Sequence, residues 1–442
     1  MAEAGARPRT AISLAARLRL AARAYEGLDR RIWLLAGVRG INTMGLSLVM
    51  SFMGVYLVTQ RGVSGATYGL IYLVANLCQA LANSYTGHLS DRVGRRRLMV
   101  AALTSRAAII ALLGSLVLVH APIWALTIVL VLSASLRGGF EPVASVVVAD
   151  VAPPEKRVAG FGLQRMGINV GWLIGPSLGG LLAMHIDYGY VFFCAVPPIL
   201  LSAVAIARMA EPSVHSAAAR AASASLLPTA TSVAETTSRP RGEIALLLGG
   251  AMLFSVVHVQ LFSTFSIYAK SSVGLSEQQI GLMFAVNGLA VVLFQLPAVA
   301  LIARFTHAGA LVTGALIYVV AFLGMGAAVG PISLGAAVLL TTIGEVVVAP
   351  AQQATVAQLG DPTRLGRAYG LFGTMQMLGV ALAPLLGGLA YDHLRHRPMV
   401  MWACLAALPL LLAVGYARFG ALHRRSTRAD NSPAMWESRT GG

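Results

Sequence analysis

The stretch Gly171–Gly180, GWLIGPSLGG, decides the fold, because a degenerate copy of it, GVALAPLLGG, follows 208 residues later at Gly379–Gly388. The longer windows Pro142–Leu181 and Pro350–Leu389 align without a gap and are identical at 12 of their 40 positions. Self-similarity at one fixed offset indicates that the chain is a tandem duplication of one structural unit.

The composition indicates that this unit folds in a membrane. Of the 442 residues, 57% are hydrophobic and 11% are charged, which is more apolar sequence than one soluble core would bury. A helix crosses a bilayer with about 20 apolar residues. The sequence contains twelve such spans, at approximately Ile32–Val58, Ala66–Thr86, Leu98–Val119, Ile123–Ala149, Val158–Met184, Tyr190–Arg208, Ile244–Tyr268, Gln279–Ile302, Ala308–Val329, Ile332–Gln352, Ala368–Tyr391 and Met399–Tyr416. They predict an all-α membrane protein with twelve transmembrane helices in two pseudo-symmetric six-helix bundles.

Composition also divides the chain into segments. Residues 211–242 are rich in Ala, Ser, Thr and Arg and hold too little apolar surface to fold alone, so we interpret them as a cytoplasmic linker. The linker separates an N-terminal bundle, residues 32–210, from a C-terminal bundle, residues 243–418. An N-terminal arm, residues 1–31, and a tail, residues 419–442, complete the chain. Six crossings return the chain to its starting side, so the two halves have the same orientation in the membrane. A pseudo-two-fold axis along the membrane normal can therefore relate them.

The excess of positive charge indicates topology rather than a nucleic-acid partner. The chain carries 33 Lys and Arg against 17 Asp and Glu, a net charge of +16. Most basic residues fall in the arm, the even-numbered loops and the tail, so both termini are expected in the cytoplasm. The strong preference for Arg over Lys favours a GC-rich bacterial genome and hence the inner membrane. The arm lacks the apolar core of a signal peptide, and a transit peptide is the weaker alternative.

A loop rich in glycine and arginine lies between spans 2 and 3 and reads Gly87-His-Leu-Ser-Asp91-Arg92-Val-Gly94-Arg95-Arg96-Arg97. It resembles the G-x-L-a-D-r-x-G-r-[kr] loop of the major facilitator superfamily. Gly171–Gly180 resembles the G-x-x-x-G-P-x-x-G-G motif of that superfamily's proton-driven antiporters. The chain is thereby similar, over nearly its whole length, to the drug:proton antiporters with twelve spans. The resemblance implies the major facilitator fold and alternating access by rocking of the two halves.

The same loop can be interpreted physically. A tight reversal at the membrane face favours glycine at positions 87 and 94, and the arginines anchor the loop to anionic lipid headgroups. In the family, the aspartate that matches Asp91 helps to lock one conformation, so the loop is a candidate conformational latch. A purely basic topological anchor is the alternative. The equivalent loop of the second half, Arg304–His307, has no acidic residue.

In span 5, the residues Gly171, Gly175, Gly179 and Gly180 form a stripe along one helix face, and Pro176 bends it. Small residues at this spacing let a second helix approach closely, so plain helix packing is the alternative to an antiporter motif. Gly175–Gly179 also matches G-x-S-x-G, but a nucleophile elbow needs a strand-to-helix turn, which a helical span does not supply.

Charged and polar residues inside the spans form two layers, and each is costly to insert, so each should face a cavity or a partner. The first layer, about 11 Å from the cytoplasmic end at the helical rise, contains Arg39, Arg106, Glu141 and Arg165. About one turn deeper, or at mid-membrane depth in the second half, lie Arg137, Asn169, His258, Asn287, Glu345 and Gln376. These residues are candidates for a charge network and a central cavity.

Glu141, Glu345 and His258 are candidates for proton coupling. Arg137 and Glu141 are four residues apart and can pair on one helix face. The 208-residue offset relates Arg137 to Glu345, so these two residues could face each other across the cavity. We hypothesise that Glu345 or Glu141 carries the proton while Arg137 holds it deprotonated until the pair separates. A static ion pair is the alternative, as is a packing role for His258.

The sequence also limits the energy source and the substrate. It contains no G-x-x-x-x-G-K-[ST] loop for ATP and no Cys/His cluster for zinc, so we expect no cofactor or metal and no enzymatic activity. The expected partners are protons, a small molecule and the bilayer, and a monomer suffices.

Proton-coupled export of small amphipathic molecules is the leading expectation. A proton-coupled or facilitative importer and a non-transporting sensor or scaffold are the alternatives. With four buried arginines against two glutamates, anionic, zwitterionic or neutral substrates fit at least as well as cations.

Overall fold

The computed structural model describes residues 25–153, 156–209, 241–302, 306–359 and 365–430. Within these ranges it holds twelve helical segments long and apolar enough to cross a bilayer, and no strand. Helices are expected there, because a backbone in lipid must satisfy its own hydrogen bonds. Residues 1–24, 210–240 and 431–442, with most of the predicted arm and linker and part of the tail, lie outside the described residues, as does Arg304.

The helices are numbered here as spans in chain order. Their bounds are Arg30–Val55 with a π-helical turn at Tyr56–Gln60 (span 1), Gly65–Val93 (span 2), Arg95–Leu118 (span 3), Ile123–Gly138 with Glu141–Val151 (span 4), Arg157–Ala183 (span 5), Tyr188–Phe193 with Val196–Ala207 (span 6), Arg241–Val259 with Thr264–Ser271 (span 7), Glu277–Ile302 (span 8), His307–Ala327 (span 9), Pro331–Leu359 (span 10), Leu365–Leu394 (span 11) and Pro398–Asp430 (span 12). Span 12 is longer than predicted, and its helix includes residues 419–430 of the segment that the sequence assigns to the tail.

The two halves of the chain share one pattern of helix pairing. In spans 1–6 the packed pairs are 1 with 5, 2 with 4, 3 with 4, 3 with 6 and 1 with 6. In spans 7–12 they are 7 with 11, 8 with 10, 9 with 10, 9 with 12 and 7 with 12, which is the same pattern shifted by six. The predicted fold, two pseudo-symmetric six-helix bundles, is therefore confirmed.

The direction of the spans defines two ends of the molecule. We call the end that holds Arg30 and the last turn of span 12 the terminal face, and the opposite end the distal face. Across the two halves, span 2 packs on span 11 and span 5 packs on span 8. These two helix pairs form the main seam between the halves.

Span 4 is interrupted at residues Gly139 and Phe140, where the sequence predicts a continuous helix. Pro142 stands at the start of the second helix and cannot donate a backbone hydrogen bond to the preceding turn, which favours a break at this point. The turn is closed by Gly139 N–H to the Leu136 carbonyl at 3.0 Å and by Phe140 N–H to the Arg137 carbonyl at 3.1 Å. Glu141 consequently stands at a helix N-terminus rather than in mid-helix.

Span 7 is interrupted between Val259 and Thr264. The Gln260 side chain stabilises the interruption by donating to the Ala383 carbonyl of span 11 at 2.9 Å and accepting from the Thr264 hydroxyl at 2.6 Å. His258 therefore lies in the last turn of the first helix, where the negative end of the helix dipole favours a cation.

Candidate functional site

The glycines of the duplicated motif lie at equivalent helix contacts in the two halves. A Cβ atom added to Gly171 would lie 2.6 Å from the Gly40 carbonyl oxygen of span 1, and one added to Gly175 would lie 2.5 Å from the Met44 carbonyl oxygen. The last glycine of each copy faces the other half: Gly180 meets the Glu277 backbone of span 8, and Gly388 meets the Gly65 backbone of span 2. The stripe thus packs span 5 on span 1 and closes the seam between the halves.

The loop between spans 2 and 3 differs from its predicted form. Gly87 and Asp91 lie within the helix of span 2, which continues to Val93, so Gly87 is not at the reversal. The turn occurs at Gly94, whose φ of 94° is in the region that favours glycine. Arg92 is exposed at the helix end.

Two arginines that follow the turn contact other spans of the N-terminal half. Arg95 is buried and forms an ion pair with Asp150 at the end of span 4. Arg96 donates to the Met209 carbonyl after span 6 at 3.2 Å. This side of the predicted latch holds spans 3, 4 and 6 together at the terminal face.

Two polar contacts across the seam occur at the distal face, and neither was predicted from the sequence. The Asp392 carboxylate, at the end of span 11, accepts hydrogen bonds from the first backbone N–H groups of span 2, those of Gly65 at 2.7 Å and Ala66 at 2.8 Å. Tyr188 of span 6 donates to Glu277 Oε1 of span 8 at 3.0 Å, and Lys270 Nζ lies 2.8 Å from the same oxygen. Both contacts stabilise a closed distal face.

A cavity of about 500 Å³ lies between the halves. This volume is in the range of small-molecule sites. Six of the predicted polar residues line it: Arg39, Arg165, Asn169, His258, Asn287 and Glu345. Arg137 and Arg106 instead line a smaller cavity inside the N-terminal half. Gln376 is half-buried on span 11, outside the lining of the central cavity.

The two walls of the central cavity differ in charge. Arg165 on span 5 is exposed to it and has no ion-pair or hydrogen-bond partner among the described residues. Gln164, beside it, is 1% exposed, and neither atom of its amide has a hydrogen-bond partner in the described part of the chain. The opposite wall carries Glu345 and His258. The arrangement suits a molecule with a polar or charged end.

Glu345 of span 10 and His258 of span 7 form a pair in this cavity. Glu345 Oε2 lies 3.8 Å from His258 Nδ1, and the two side chains are 18% and 27% exposed. The same imidazole nitrogen lies 3.3 Å from the Tyr318 hydroxyl. Phe254 stacks on the ring at a centroid distance of 5.9 Å, which limits its contact with water. Both side chains line the central cavity, and their separation is that of an ion pair rather than of a hydrogen bond.

Glu141 has a different environment. Arg137 Nε lies 4.0 Å from Glu141 Oε1, and the same Nε donates to Gln79 Oε1 at 3.0 Å. Arg39 donates to the Glu141 carbonyl at 2.8 Å. Arg137 thus pairs with the carboxylate of Glu141, whereas Arg39 binds the backbone carbonyl of the same residue. Glu345 pairs with His258, and Arg137 pairs with Glu141. Each of these two ion pairs lies within one half of the molecule rather than across the cavity.

Sequence reasoning missed an aromatic pair that joins the halves in the cavity wall. Trp172 of span 5 and Phe262, in the interruption of span 7, have ring centroids 4.5 Å apart. Gln164 was missed as well. Aromatic and amide residues in an apolar span carry no periodic signal that separates a cavity wall from a helix contact, so pattern analysis alone does not find them.

Comparison with known proteins identifies the relatives of this architecture. A family model described as Major Facilitator Superfamily matches residues 35–276 and 247–438. The chain is 25% identical over 371 residues to an uncharacterized MFS-type transporter, YqjV, of Bacillus subtilis, covering 83% of this chain and 88% of that protein. A stretch of 152 residues is 36% identical to the multidrug resistance protein MdtG of Salmonella paratyphi A, covering 33% of this chain and 36% of MdtG.

Solved structures share the fold at low sequence identity. A crystal structure of a D-xylose–proton symporter superimposes with a TM-score of 0.70 at 16% identity, covering 88% of this chain and 97% of that one. A POT family transporter in complex with 5-aminolevulinic acid gives a TM-score of 0.72 at 14% identity, covering 89% and 97%. At these identities the likeness concerns the fold alone.

Proposed function

The chain belongs to the major facilitator superfamily, and we propose that it is a proton-coupled antiporter that exports small amphipathic molecules by alternating access. The observation that carries the proposal is the Glu345–His258 pair, which lies in a cavity between the halves that is large enough for a small molecule. The 36% identity to a multidrug resistance protein over a third of the chain supports export as the direction.

We propose that the terminal face is the cytoplasmic one, since most arginines lie in segments at that end. The seam contacts of Gly65, Asp392, Glu277 and Tyr188 then close the periplasmic side. Phe161, on the first turns of span 5, lines the cavity and is 40% exposed. In this orientation the cavity is accessible from the cytoplasm, as needed to collect a molecule for export.

Glu345 is proposed as the group that carries the proton, with His258 as its partner. Burial of a carboxyl group favours its protonated form and exposure to water favours its charged form, so a change of solvent exposure can drive uptake and release of a proton. Rocking of the halves supplies that change, because spans 7 and 10 face the cavity between them. Glu141 serves as a fixed counter-charge for Arg39 and Arg137.

The substrate is proposed to be amphipathic because the cavity has both kinds of surface. Trp172 and Phe262 provide an aromatic surface against which a planar apolar group can pack. Arg165, Gln164 and Asn169 provide hydrogen-bond donors on span 5, the span that also carries Trp172. Interactions of this kind tolerate several ligands that share a shape and a polar end.

The test is accumulation of fluorescent dyes and antibiotics of each charge class in an efflux-deficient bacterium that expresses the protein. Reduced accumulation that an uncoupler abolishes would support proton-driven export. The matched variant is Glu345→Gln, with expression and membrane insertion verified. If the wild-type protein and the variant lowered accumulation equally, Glu345 would not carry the proton.

A proton-coupled importer is the second candidate. The D-xylose–proton symporter has the same fold, and the fold runs in either direction. The unpaired Arg165 favours an anionic ligand. An anion bound near Glu345 would favour protonation of the Glu345 carboxylate, so the ligand and the proton would bind together and move in the same direction. If uptake of a metabolite were accompanied by proton entry, measured as acidification of the cytoplasm, the result would support this candidate over export.

A further inference from the structure

A second cavity, of about 40 Å³, lies inside the N-terminal half, between spans 1, 2, 3 and 4. Its volume is far below that of the central cavity and holds a small ion or a water rather than a transported molecule. Its polar lining consists of Arg106, Arg137, Tyr72, Asn76 and Ser133, and no carboxylate is among the described residues that line it.

Arg106 is the main reason to assign a ligand to this cavity. Its side chain is 1% exposed, and among the described residues it makes one hydrogen bond, from Nη1 to the Asn42 side-chain oxygen of span 1 at 3.0 Å. Its Nε atom is buried without a partner in the described part of the chain. A guanidinium in the membrane interior is strongly destabilising unless a negative charge lies near it.

The surrounding charges do not compensate Arg106. Arg137 lines the same cavity and repels it, and Glu141, which pairs with Arg137, attracts it. Glu141 already neutralises Arg137 at 4.0 Å and binds Arg39 through its carbonyl. Three arginines therefore share one carboxylate, and this part of the N-terminal half keeps an excess of positive charge.

Neutral donors complete the lining. Tyr72 is 6% exposed, and its hydroxyl oxygen is buried without a hydrogen-bond partner among the described residues. Ser133 is 8% exposed and adds a second hydroxyl. Asn76 uses its amide N–H on the Tyr72 carbonyl at 2.7 Å. Two cations and two hydroxyls around a small cavity are the surroundings of a small anion, which accepts hydrogen bonds from several directions.

We infer that this cavity binds a small monovalent inorganic anion, chloride being the abundant one, held by Arg106, Arg137 and the Tyr72 hydroxyl. The anion offsets one of the two excess positive charges and joins spans 2, 3 and 4. The site is separate from the central cavity, so the inference does not depend on the direction of transport or on proton coupling.

The test is the thermal stability of the purified full-length protein in lipid nanodiscs, with chloride titrated against gluconate at constant ionic strength. Chloride is expected to raise the unfolding temperature in a saturable way. Loss of one hydrogen bond to a charged group weakens binding by about tenfold or more, so the half-saturating chloride concentration should rise by about that factor in Arg106→Gln and in Tyr72→Phe. Tyr72→Phe removes one oxygen atom and keeps the test decisive if Arg106→Gln does not fold.

The matched control is Arg165→Gln, which removes a guanidinium from the central cavity and should leave the half-saturating chloride concentration unchanged. Equal unfolding temperatures in chloride and gluconate would overturn the inference, and so would a Tyr72→Phe variant with wild-type chloride dependence. Stabilisation by formate but not by chloride would assign the cavity to a carboxylate group and would also contradict it.

Discussion

Replacement of Asp392 by asparagine should open the distal face. The Asp392 carboxylate accepts two hydrogen bonds from the first N–H groups of span 2, at 2.7 and 2.8 Å, and so connects the two halves at the N-terminus of a helix. Asparagine has nearly the same shape but no charge, and a single oxygen that accepts. The variant therefore loses one of the two bonds and the interaction with the helix dipole.

The magnitude follows from those two losses. A hydrogen bond to a charged group contributes about 1.5–3 kcal/mol, and the dipole about 0.3–1 kcal/mol. Asp392 is only half-buried, so water replaces part of the loss when the face opens. We expect a net change of about 1–2 kcal/mol, which raises the ratio of distal-open to distal-closed molecules by roughly five- to thirtyfold.

The assay is a distance measurement by pulsed electron paramagnetic resonance between spin labels at Gln60→Cys and His396→Cys, exposed positions at the distal ends of the two halves. The native Cys78, Cys194 and Cys404 are first replaced by serine. Asp392→Asn should enlarge the long-distance component.

The control is Asp187→Asn, an exposed distal carboxylate whose side chain makes no cap hydrogen bond. Its distance distribution should match that of the parent protein. If Asp392→Asn also matched the parent, the carboxylate would not hold the distal face closed, and the reasoning from its two hydrogen bonds would be wrong.

Two further predictions concern packing. Gly180→Val places a side chain against the Glu277 backbone and should prevent distal closure, seen as loss of the short distance in the same measurement, whereas Gly335→Val, at a glycine with open space around it, should not. Gln352→Ala removes a fully buried amide that donates to the Gly250 carbonyl and to Tyr416. It should lower the free energy of unfolding by about 1–3 kcal/mol, measured as a lower unfolding temperature. The exposed Gln353→Ala should change it little, and equal unfolding temperatures for the two variants would contradict this account.

The fold was predictable because its signals are long and periodic. Twelve apolar spans and the repeat of Gly171–Gly180 at Gly379–Gly388 required only composition and spacing. The interruption of span 4 was not predicted, although Gly138, Gly139 and Pro142 are the residues that permit it. Hydropathy averages over a window and does not register a break of two or three residues.

The sequence predicted most of the residues that line the cavity, but it did not predict which of them pair with one another. Spacing placed Glu345 and His258 at mid-membrane depth, but spans 7 and 10 are far apart in sequence, and their pairing depends on helix rotation. The repeat offset suggested Arg137 as the partner of Glu345, whereas Arg137 pairs with Glu141, which begins the second helix of the same span. Asp392 acts on backbone N–H groups, which no sequence pattern displays.

The most direct test of proton-coupled antiport is substrate movement in proteoliposomes, with the compound that the accumulation panel identifies. Wild-type protein should concentrate that compound against its gradient when a pH gradient is imposed, and should exchange labelled for unlabelled compound without one. Glu345→Gln should lose the first activity and keep the second, because exchange needs the cavity and the moving halves but no proton. Uphill transport that persists in Glu345→Gln would contradict the assignment of the coupling proton to the Glu345–His258 pair.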